Sequence, residues 1–351
     1  FIMGNQFRKA GHGHGHKNDE PKHFAQRYQL GDELGKGAFS VVKVGVPKKE
    51  KYRPVEHQAE YAIKIIDKDG LSEDDKIGLQ QEIEILTSIS HPNIIELYEH
   101  YVETAHIYMV TELIQGDELF NRIVKKSRYS ELEARDVVKT MLSTMGFLHE
   151  KGIVHRDLKP ENILLASVDN DLDIKIADFG FAKRGDDGDV EHSLLTQCGT
   201  PGYISPEILL HKSYGPPADV WSMGVIVYIL LGGYPPFYHA KQNELFKLIK
   251  KGKYQFHAKY WDHISQEAKD LIESMLTVDP DKRLTCSQLL HHHWITAGDE
   301  TLSSRDISCT IAELKKWNAK RKFRAAVKAV MATNRIRRLT FAPQSEAAEE
   351  S

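Results

Sequence analysis

Cysteine is scarce in this sequence and long apolar runs are missing, and both shortages restrict what the chain can be. The 351 residues include only three cysteines, Cys198, Cys286 and Cys309. This odd, widely spaced set forms neither a disulfide framework nor a zinc-binding pattern, so we expect a reducing compartment, the cytoplasm or the nucleus. No run of about eighteen apolar residues occurs, so we expect no membrane span. The polar N-terminus also predicts no signal peptide.

An overall excess of charge is missing as well, since 47 basic residues face 50 acidic ones and the net charge is −3. The distribution is nevertheless uneven. Ten Lys or Arg and no acidic residue lie between Lys315 and Arg338, which leaves the rest of the chain acidic. A nucleic-acid-binding protein would need a basic body or stacking aromatic residues, so we expect no nucleic-acid partner. A basic strip on an acidic body favours docking on that body or capture by an acidic partner.

Composition and periodicity change along the chain. Residues 1–27 are polar and rich in Gly, His and Lys, which predicts a flexible leader. Residues 28–110 read mainly as strands, and from about residue 113 the apolar spacing becomes helical. Strands followed by helices predict an α+β fold with two lobes of different character. Residues 341–351 are predicted to be a disordered acidic tail. Helical spacing is found at residues 77–89, 133–151, 219–233, 243–251, 265–276, 285–291 and 307–333.

A glycine-rich turn lies between two strand-like runs near the N-terminus. Gly35 and Gly37 stand between Leu34 and Val42, and glycines let a backbone approach phosphates and point amides at them. Ser40 replaces the third glycine of the full phosphate-binding pattern. A strand rather than a helix follows, which disfavours a dinucleotide-binding fold. By itself the turn fits a plain glycine-rich hairpin equally well.

A lysine on the third predicted strand has a candidate partner in the following helix. Lys64 follows Ala62 in a β-rich run, and Glu82 lies 18 residues further on. A Lys paired with a Glu can hold two phosphates by charge and geometry. A strand lysine taken alone is more often a surface residue.

The most specific signal is an ordered series of short motifs. Residues 155–162 read His-Arg-Asp-Leu-Lys-Pro-Glu-Asn, and Asp178-Phe179-Gly180 follows. Next come Ser205-Pro206-Glu207 and a stretch that begins at Asp219. This order matches the protein kinase signature, and residues 28–295 resemble a eukaryotic-type protein kinase domain. Ser205 stands where that family usually has Ala, and Glu207 is expected to pair with Arg283.

The resemblance implies a small β-rich lobe, a larger helical lobe, and ATP with Mg²⁺ between them. Asp157 would orient the substrate hydroxyl and accept its proton, and Lys159 would neutralise charge on the transferring group. Asn162 and Asp178 would hold the metal. A pseudokinase scaffold, the rival reading, would lack one of these groups, and none is missing.

The resemblance also assigns the nucleotide pocket. The segment Glu112-Leu113-Ile114 would be the hinge that contacts adenine, and Thr111 would be the gatekeeper in front of a back pocket. The residues expected to bind the nucleotide or to support it are Leu34, Gly35, Gly37, Val42, Ala62, Lys64, Glu82, Thr111, Glu112, Ile114, Glu118, Glu161 and Asp178.

Three further segments resemble the calcium/calmodulin-dependent kinases, namely 116–123, 198–203 and 232–237. The Lys-Pro-Glu-Asn motif of residues 159–162 is similar to that of Ser/Thr-specific kinases. In the resembling group, a Glu at the position of Glu118 favours protein substrates with Arg three residues before the target. A solvated helix Glu without such a contact is the plainer alternative.

Residues 314–323 closely resemble the regulatory segment of the type II calmodulin-dependent kinases. Phe323, Val327, Val330 and Met331 lie on one helical face, and a basic amphipathic helix is typical of calmodulin targets. The resemblance implies that residues 296–340 are an autoinhibitory segment that calcium-loaded calmodulin removes. A permanently packed helix, a nucleic-acid patch and a membrane-surface helix stay open, as does a kinase of the same group that calmodulin does not regulate.

Candidate phosphorylation sites accompany this segment. Thr196 stands where the type I relatives carry a threonine that an upstream kinase phosphorylates, and Arg156 is a candidate partner for its phosphate. Thr310 aligns with the autonomy site of the type II relatives, but Ile307 stands where they have Arg. Arg-x-x-Ser/Thr spacing instead favours two rival sites, Ser308 after Arg305 and Thr340 after Arg337.

Overall fold

The computed structural model describes residues 23–37, 40–167, 169–185 and 201–340, with the backbone alone at residue 325 and residues 327–340. The predicted phosphorylation site Thr196 and Cys198 lie outside the described residues. The same is true of nearly all of the predicted leader and of the whole predicted acidic tail. Among the described residues, no helix combines the length and the apolar character needed to cross a bilayer.

The N-terminal lobe is built on one antiparallel sheet with strand order β1-β2-β3-β5-β4. The register pairs Lys64 on β3 with Val42 on one side and with Met109 on the other. The lysine is therefore held in the middle of the sheet rather than at its edge. The strands are β1 (Tyr28–Lys36), β2 (Ser40–Pro47), β3 (Tyr61–Asp67), β4 (Leu97–Val102) and β5 (His106–Glu112).

Helix α2 (Glu73–Ser88) packs against this sheet, and its start is set by a capping box. The Ser72 hydroxyl accepts from the Asp75 amide while the Asp75 carboxylate accepts from the Ser72 amide. Such reciprocal bonds satisfy amides that the first helical turn leaves without partners. The helix buries Glu82 together with apolar neighbours such as Ile83, so an acidic side chain is brought under the sheet.

The outer face of the sheet carries an aromatic cluster that reaches into the N-terminal segment. Phe24 lies in a short helix, α1 (Phe24–Arg27), and stacks on Tyr28 and Tyr108 at ring-centroid distances of 5.4 and 4.1 Å. Phe24 is buried. Packed structure is therefore found inside the range that the sequence assigns to the flexible leader, because one aromatic side chain completes the cluster.

The C-terminal lobe is mostly helical and is organised around α4 (Glu131–Glu150) and α6 (Pro216–Gly232). Helix α6 is buried along nearly its whole length, as expected for a helix that is apolar on all sides. In the described part of the chain after β5, the other α-helices are α3 (Leu119–Ile123), α5 (Pro206–Leu209), α7 (Gln242–Lys250), α8 (Ala258–Trp261), α9 (Gln266–Met275), α10 (Cys286–Leu289), α11 (His293–Thr296), α12 (Asp299–Ser303) and α13 (Ile311–Thr340).

Short strand pairs lie where the two lobes meet. Strand β6 (Ile153–Val154) pairs with β9 (Lys183–Arg184), and β7 (Ile163–Leu165) pairs with β8 (Ile174–Ile176). The chain between β6 and β7 carries the His-Arg-Asp motif, and the Asp-Phe-Gly motif follows β8. These small pairings therefore fix both motifs at the cleft. The predicted α+β bilobal fold is confirmed.

The predicted ion pair between Glu207 and Arg283 is present and fully buried. The guanidinium donates to both carboxylate oxygens, at 2.7 and 3.0 Å, and lies 5.1 Å from the Trp221 ring centroid. Bidentate geometry and further bonds to backbone carbonyls such as Thr277 O satisfy the buried charge. The pair joins the start of α5 to the loop before α10.

The helix predicted at residues 307–333 starts later and ends later than expected, running from Ile311 to Thr340. Its start is delayed because residues 305–308 lie beside the loop before α4, and residues 308–310 form a 3₁₀ turn. Leu302, Ile307 and Leu314 are buried in the lobe. The chain after the predicted domain end is thus packed against the domain.

Candidate active site

Lys64 and Glu82 form a close ion pair between β3 and α2. The lysine Nζ lies 2.8 and 3.1 Å from the two carboxylate oxygens of Glu82. Burial alone would lower the pKa of Lys64, but the charges of Glu82 and Asp178 raise it above its ordinary value. The lysine therefore stays charged, and a fixed ammonium ion faces the cleft.

The loop that carries Asp157 is held from below by a buried carboxylate. Asp219, at the start of α6, accepts the amides of His155 and Arg156 at 2.9 Å each and lies 3.0 Å from His149 Nε2. Burial alone would raise the pKa of Asp219, but these bonds and the neighbouring histidines lower it. Arg156 has a φ of 70°, a left-handed conformation that costs energy in a non-glycine residue. The bonds to Asp219 stabilise that strained turn.

Asp157, Lys159 and Asn162 converge on one point of the cleft. Lys159 Nζ contacts the Asp157 carboxylate, and Asn162 Nδ2 donates to the Asp157 carbonyl at 2.8 Å. Burial would lower the pKa of Lys159, but Asp157 raises it above its ordinary value. The residues are therefore a fixed set of charges rather than mobile surface groups.

Asp178, on the segment that follows β8, lies at the same part of the cleft. The backbone of Ala177 bonds to the carbonyl of Asn162 at 3.0 Å, and Asp178 has a φ of 64°. Phe179 is fully buried and meets the His155 ring edge-on at 4.9 Å. The two motifs are thus locked to each other, and the oxygen-bearing side chains of Asn162 and Asp178 belong to one rigid unit.

The glycine-rich turn and the predicted hinge lie on the sheet above this unit. A side chain at Gly35 would meet no heavy atom within 4 Å, so the turn is open there. Thr111 pairs with Ala62 in the ladder between β3 and β5. At the end of β5, the carboxylate of Glu112 accepts from Lys175 at 2.8 Å and from the Glu96 amide at 2.9 Å. Those bonds fix the strand end from which Leu113 and Ile114 lead into the large lobe.

Glu118 and Glu161 contact a residue of the C-terminal helix. Arg321 on α13 contacts the Glu118 carboxylate through Nη2, and its Nη1 lies 3.3 Å from Glu161 Oε2. The Arg321 side chain is 7% exposed, against 26% for Glu118 and 29% for Glu161. Two carboxylates that the sequence assigns to the nucleotide site therefore form ion pairs with a guanidinium of the same chain.

Neighbouring residues of α13 strengthen this contact. Asn318 donates to Asn121 Oδ1 at 2.8 Å and accepts from Arg321 Nε at 3.1 Å. The Trp317 ring lies 5.6 Å from the Phe120 ring. We call residues 317–324 the latch and residues 299–314 the anchor. The predicted basic strip is thus seen in contact with the acidic body over the latch.

Some residues of this site were not singled out from the sequence. The sequence places Asp219 in a motif without assigning it a role, although its bonds to the amides of His155 and Arg156 make it the support of the loop that carries Asp157. Lys175 and Asn121 gave no signal, since a lone lysine on a short strand and a lone asparagine on a helix fit many surfaces. The charge strip at residues 315–338 was the available signal for Arg321.

Comparisons with known proteins agree with this geometry. A family model described as the protein kinase domain matches residues 28–295. A calcium/calmodulin-dependent protein kinase type 1 of Macrobrachium nipponense is 45% identical over 312 residues, which covers 89% of this chain and 87% of the relative. Its namesake from Caenorhabditis elegans is 43% identical and covers 91% and 88%.

A third relative is named as type IV. This calcium/calmodulin-dependent protein kinase of Mus musculus is 45% identical over 88% of this chain and 63% of its own length. All three similarities extend well beyond single motifs. The chain therefore belongs to the protein kinase family, and within it to the calcium/calmodulin-dependent serine/threonine kinases.

Proposed function

We propose that this kinase phosphorylates Ser or Thr three residues after an Arg, that its C-terminal segment inhibits it, and that calcium-loaded calmodulin relieves the inhibition. The observation that carries the proposal is the guanidinium of Arg321 between Glu118 and Glu161. Type 1 and type IV relatives are named for dependence on calcium and calmodulin. The proposal combines the contact of Arg321 with Glu118 and Glu161 in this chain with the calcium and calmodulin dependence that the names of those relatives state.

A protein kinase domain implies ATP and typically Mg²⁺, and the residues at the cleft fit both. Asn162 and Asp178 offer oxygen ligands, which Mg²⁺ prefers, and Lys64 offers a fixed cation for phosphate oxygens. The open space at Gly35 leaves room for a close approach to phosphates. When bound, ATP supplies the phosphoryl group and Mg²⁺ neutralises part of its charge.

The roles of the protein residues follow from charge and position. Asp157 accepts the proton of the substrate hydroxyl and orients that hydroxyl, and Lys159 offsets charge next to it. Asn162 and Asp178 position the metal, and Glu82 keeps Lys64 directed at the phosphates. Because these charges are fixed before substrate arrives, little reorganisation is needed in the transition state.

The adenine end of the pocket is assigned to the hinge. Backbone groups of Glu112 and Ile114 contact the base, with Leu34, Val42 and Ala62 as apolar neighbours. Thr111 acts as the gatekeeper, and its small side chain leaves a back pocket reachable. Replacing Thr111 with Met is then expected to reduce sensitivity to inhibitors that enter that pocket.

Arginine recognition and autoinhibition share one site in this proposal. A substrate Arg three residues before the target would occupy Glu118 and Glu161, where Arg321 lies in the docked chain. The latch therefore competes with substrate for the same two carboxylates. A partner that removes the latch frees them without any change in the catalytic residues.

Calmodulin is the partner proposed for the latch and the helix beyond it. Phe323 is 71% exposed, whereas Leu314 and Asn318 earlier on the same helix are buried, so an apolar side chain is available to a partner while α13 is docked. Residues 315–338 contain ten basic residues and no acidic residue. A basic helix with an exposed apolar side chain suits an acidic protein that has apolar clefts.

The test is ATP turnover on an Arg-x-x-Ser peptide with calcium, with calmodulin, with both, and with a calcium chelator. A matched Gln-x-x-Ser peptide measures the arginine preference, and the Asp157→Asn variant controls for contaminating kinases. We expect a steep rise only when calcium and calmodulin are both present. Equal activity in every condition would contradict regulation by calmodulin and would favour the alternative, a kinase of the same group that calmodulin does not regulate.

Phosphorylation of Thr196 by an upstream kinase stays a prediction.

A further inference from the structure

The connection between β2 and β3 is long for two neighbouring antiparallel strands, and its first half concentrates positive charge. It runs over residues 48–60, whereas most hairpin connections have about two to five residues. Residues 47–53 read Pro-Lys-Lys-Glu-Lys-Tyr-Arg, with four basic residues and one acidic residue. We call residues 47–53 the basic loop. None of the residues assigned to the catalytic cleft or to the latch lies in it, so phosphoryl transfer does not explain its charge.

The basic loop is held in a defined conformation by neighbouring segments. Residues 50–52 form a 3₁₀ turn, and the Lys48 amide donates to the Arg27 carbonyl at 2.9 Å. Later in the same connection, the hydroxyl of the buried Tyr61 donates to the Gln58 carbonyl at 3.1 Å. Because the loop is ordered in advance, a ligand that binds there has little conformational entropy to overcome.

Three cations of this region surround one aromatic ring. The ammonium groups of Lys49 and Lys51 lie 5.9 and 5.4 Å from the centroid of the Tyr52 ring, and the Arg27 guanidinium lies 5.6 Å from it. Each contact is favourable because the face of the ring is negative, but the three cations repel one another. An anion that approaches the ring is attracted by all three charges at once.

The two arginines at this site already have acidic partners. The Arg27 guanidinium lies 2.5 Å from Glu99, and that arginine side chain is 21% exposed. The Arg53 guanidinium lies 3.6 Å from Glu50. Arginine is the side chain whose fork binds a single carboxylate in a bidentate geometry. The charge that is left over in the basic loop is therefore carried by its lysines.

The lysines of the basic loop are exposed, and within the described part of the chain none of them forms an ion pair. Lys48 donates to the Ala25 carbonyl at 2.6 Å, and the ammonium groups of Lys49 and Lys51 contact the tyrosine ring. A lysine ammonium ion is a compact, strongly hydrated charge on a flexible stem. Three such charges side by side suit a diffuse anionic surface better than one defined carboxylate.

We propose that the basic loop docks this kinase on an anionic lipid membrane, with its three lysines at the lipid phosphates and Tyr52 in the interfacial layer. Tyrosine is enriched at membrane–water interfaces because its ring is apolar and its hydroxyl is polar. Val55, two residues after the loop, is 39% exposed and adds an apolar side chain. A lipid surface offers many anions at once, so flexible ammonium groups need no fixed partner.

The charge of the rest of the protein sets the orientation of docking. Apart from residues 315–338, the chain is acidic overall, and an anionic bilayer repels an acidic surface. A local cluster of cations on an acidic body turns that cluster toward the membrane. Docking of this kind would bring the kinase near membrane-bound substrates without a change in the catalytic cleft.

The expected contact is weak and reversible. Each Lys or Arg near an anionic leaflet contributes about fivefold to binding, so three lysines contribute about 100-fold. Stable anchoring needs a second signal. The basic strip at residues 315–338 is another cationic element of the same chain, and its contribution has to be separated from that of the basic loop.

The first experiment measures co-sedimentation of the whole chain with vesicles of phosphatidylcholine and phosphatidylserine, and with vesicles of phosphatidylcholine alone. We expect binding to the anionic vesicles, and weaker binding as salt is raised. Replacing two lysines in the variant Lys49→Gln/Lys51→Gln should lower the partition coefficient about 25-fold. The matched variant Lys251→Gln/Lys253→Gln removes two exposed lysines at the same spacing in the large lobe, and it should bind like the wild type.

A second series removes competition from the basic strip. The parent chain and both double variants are compared in a background in which the four basic residues between positions 325 and 338 are replaced by glutamine. The parent of this series should still prefer the anionic vesicles, and the loop variant should lose most of that preference. Thermal unfolding checks that each variant folds.

Equal binding of the loop variant and the large-lobe variant in both series would overturn the proposal, because the basic loop would then contribute no more than any other pair of lysines. Retention on polyglutamate that requires Lys49 and Lys51, without binding to the anionic vesicles, would also overturn it and would indicate an acidic protein partner. Neither result depends on peptide phosphorylation with calcium and calmodulin, so failure of this proposal and failure of the proposed function are distinguishable.

Discussion

The anchor and the latch belong to the same segment, but they contact the lobe in different ways. The anchor buries Leu302, Ile307 and Leu314 almost completely. The latch contacts the lobe through the ion pairs of Arg321, the buried Asn318 and the partly buried Trp317, and it leaves Phe323 71% exposed. Removing the anchor would expose three buried apolar side chains to water, whereas removing the latch would expose one partly buried ring and exchange ion pairs and hydrogen bonds for hydration.

The difference indicates which half of the segment can act as a switch. A switch needs two states whose free energies differ by a few kcal/mol, so that a partner of ordinary affinity can change the population. Partly exposed ion pairs contribute little each, which suits a reversible contact. A buried apolar anchor keeps the latch near its site, so that it rebinds once the partner leaves.

The largest expected effect is on stability, from Leu314→Ala in the anchor. Truncating a fully buried leucine removes transfer energy and leaves a cavity, which together cost about 2–5 kcal/mol of the free energy of unfolding. Chemical denaturation measures it. Phe323→Ala is the matched control in the latch, where we expect a change within about 0.5 kcal/mol because the ring is mostly in water. Equal losses at the two positions would erase the distinction between anchor and latch.

The next effect is on activity, from Arg321→Ala. Loss of the guanidinium from Glu118 and Glu161 should weaken latch docking by about 1–2 kcal/mol, a discounted value because both carboxylates are partly exposed. Calcium-independent peptide phosphorylation should then rise about tenfold, with little change in thermal stability. Lys316→Ala removes a cation that is 66% exposed and pairs only within α13, so it should stay inhibited. Unchanged activity in Arg321→Ala would remove the latch from the mechanism.

Much of the kinase core was predictable from the sequence because its chemistry leaves few alternatives. The motifs at residues 155–162 and 178–180 identify the family. The pairs Lys64–Glu82 and Glu207–Arg283 were predicted from resemblance and spacing, and both are present. Such pairs are fixed by burial, since an uncompensated charge there would be costly.

The docking of the C-terminal segment was predictable only in outline. The basic strip indicated contact with an acidic body, but it could not select Arg321 among ten cations, because that choice depends on the angle at which α13 leaves the anchor. The start of the helix was placed too early for a related reason. Residues 305–308 make tertiary hydrogen bonds to the loop at Tyr129. These bonds override the helical periodicity, which in the sequence reaches back to residue 307.

A smaller effect is expected on substrate choice, from Glu118→Gln. The amide keeps the shape of the side chain but not its charge, and Glu161 still offers a carboxylate, so we expect only part of the arginine preference to be lost. The ratio of kcat/KM for Arg-x-x-Ser over Gln-x-x-Ser peptides should fall about fivefold in the presence of calcium and calmodulin, close to 1 kcal/mol. An unchanged ratio, together with raised calcium-independent activity, would show that Glu118 serves the latch and not the substrate.

The smallest effect tests how far the latch extends. The Arg324 guanidinium lies 5.8 Å from the Tyr238 ring centroid, and the tyrosine is 62% exposed, so a cation–π contact there should stabilise docking by about 0.5 kcal/mol. Tyr238→Leu should therefore raise calcium-independent activity only about twofold, with maximal activity preserved. A tenfold rise would mean that Arg324, the last residue of the latch, contributes as much to docking as the ion pairs of Arg321.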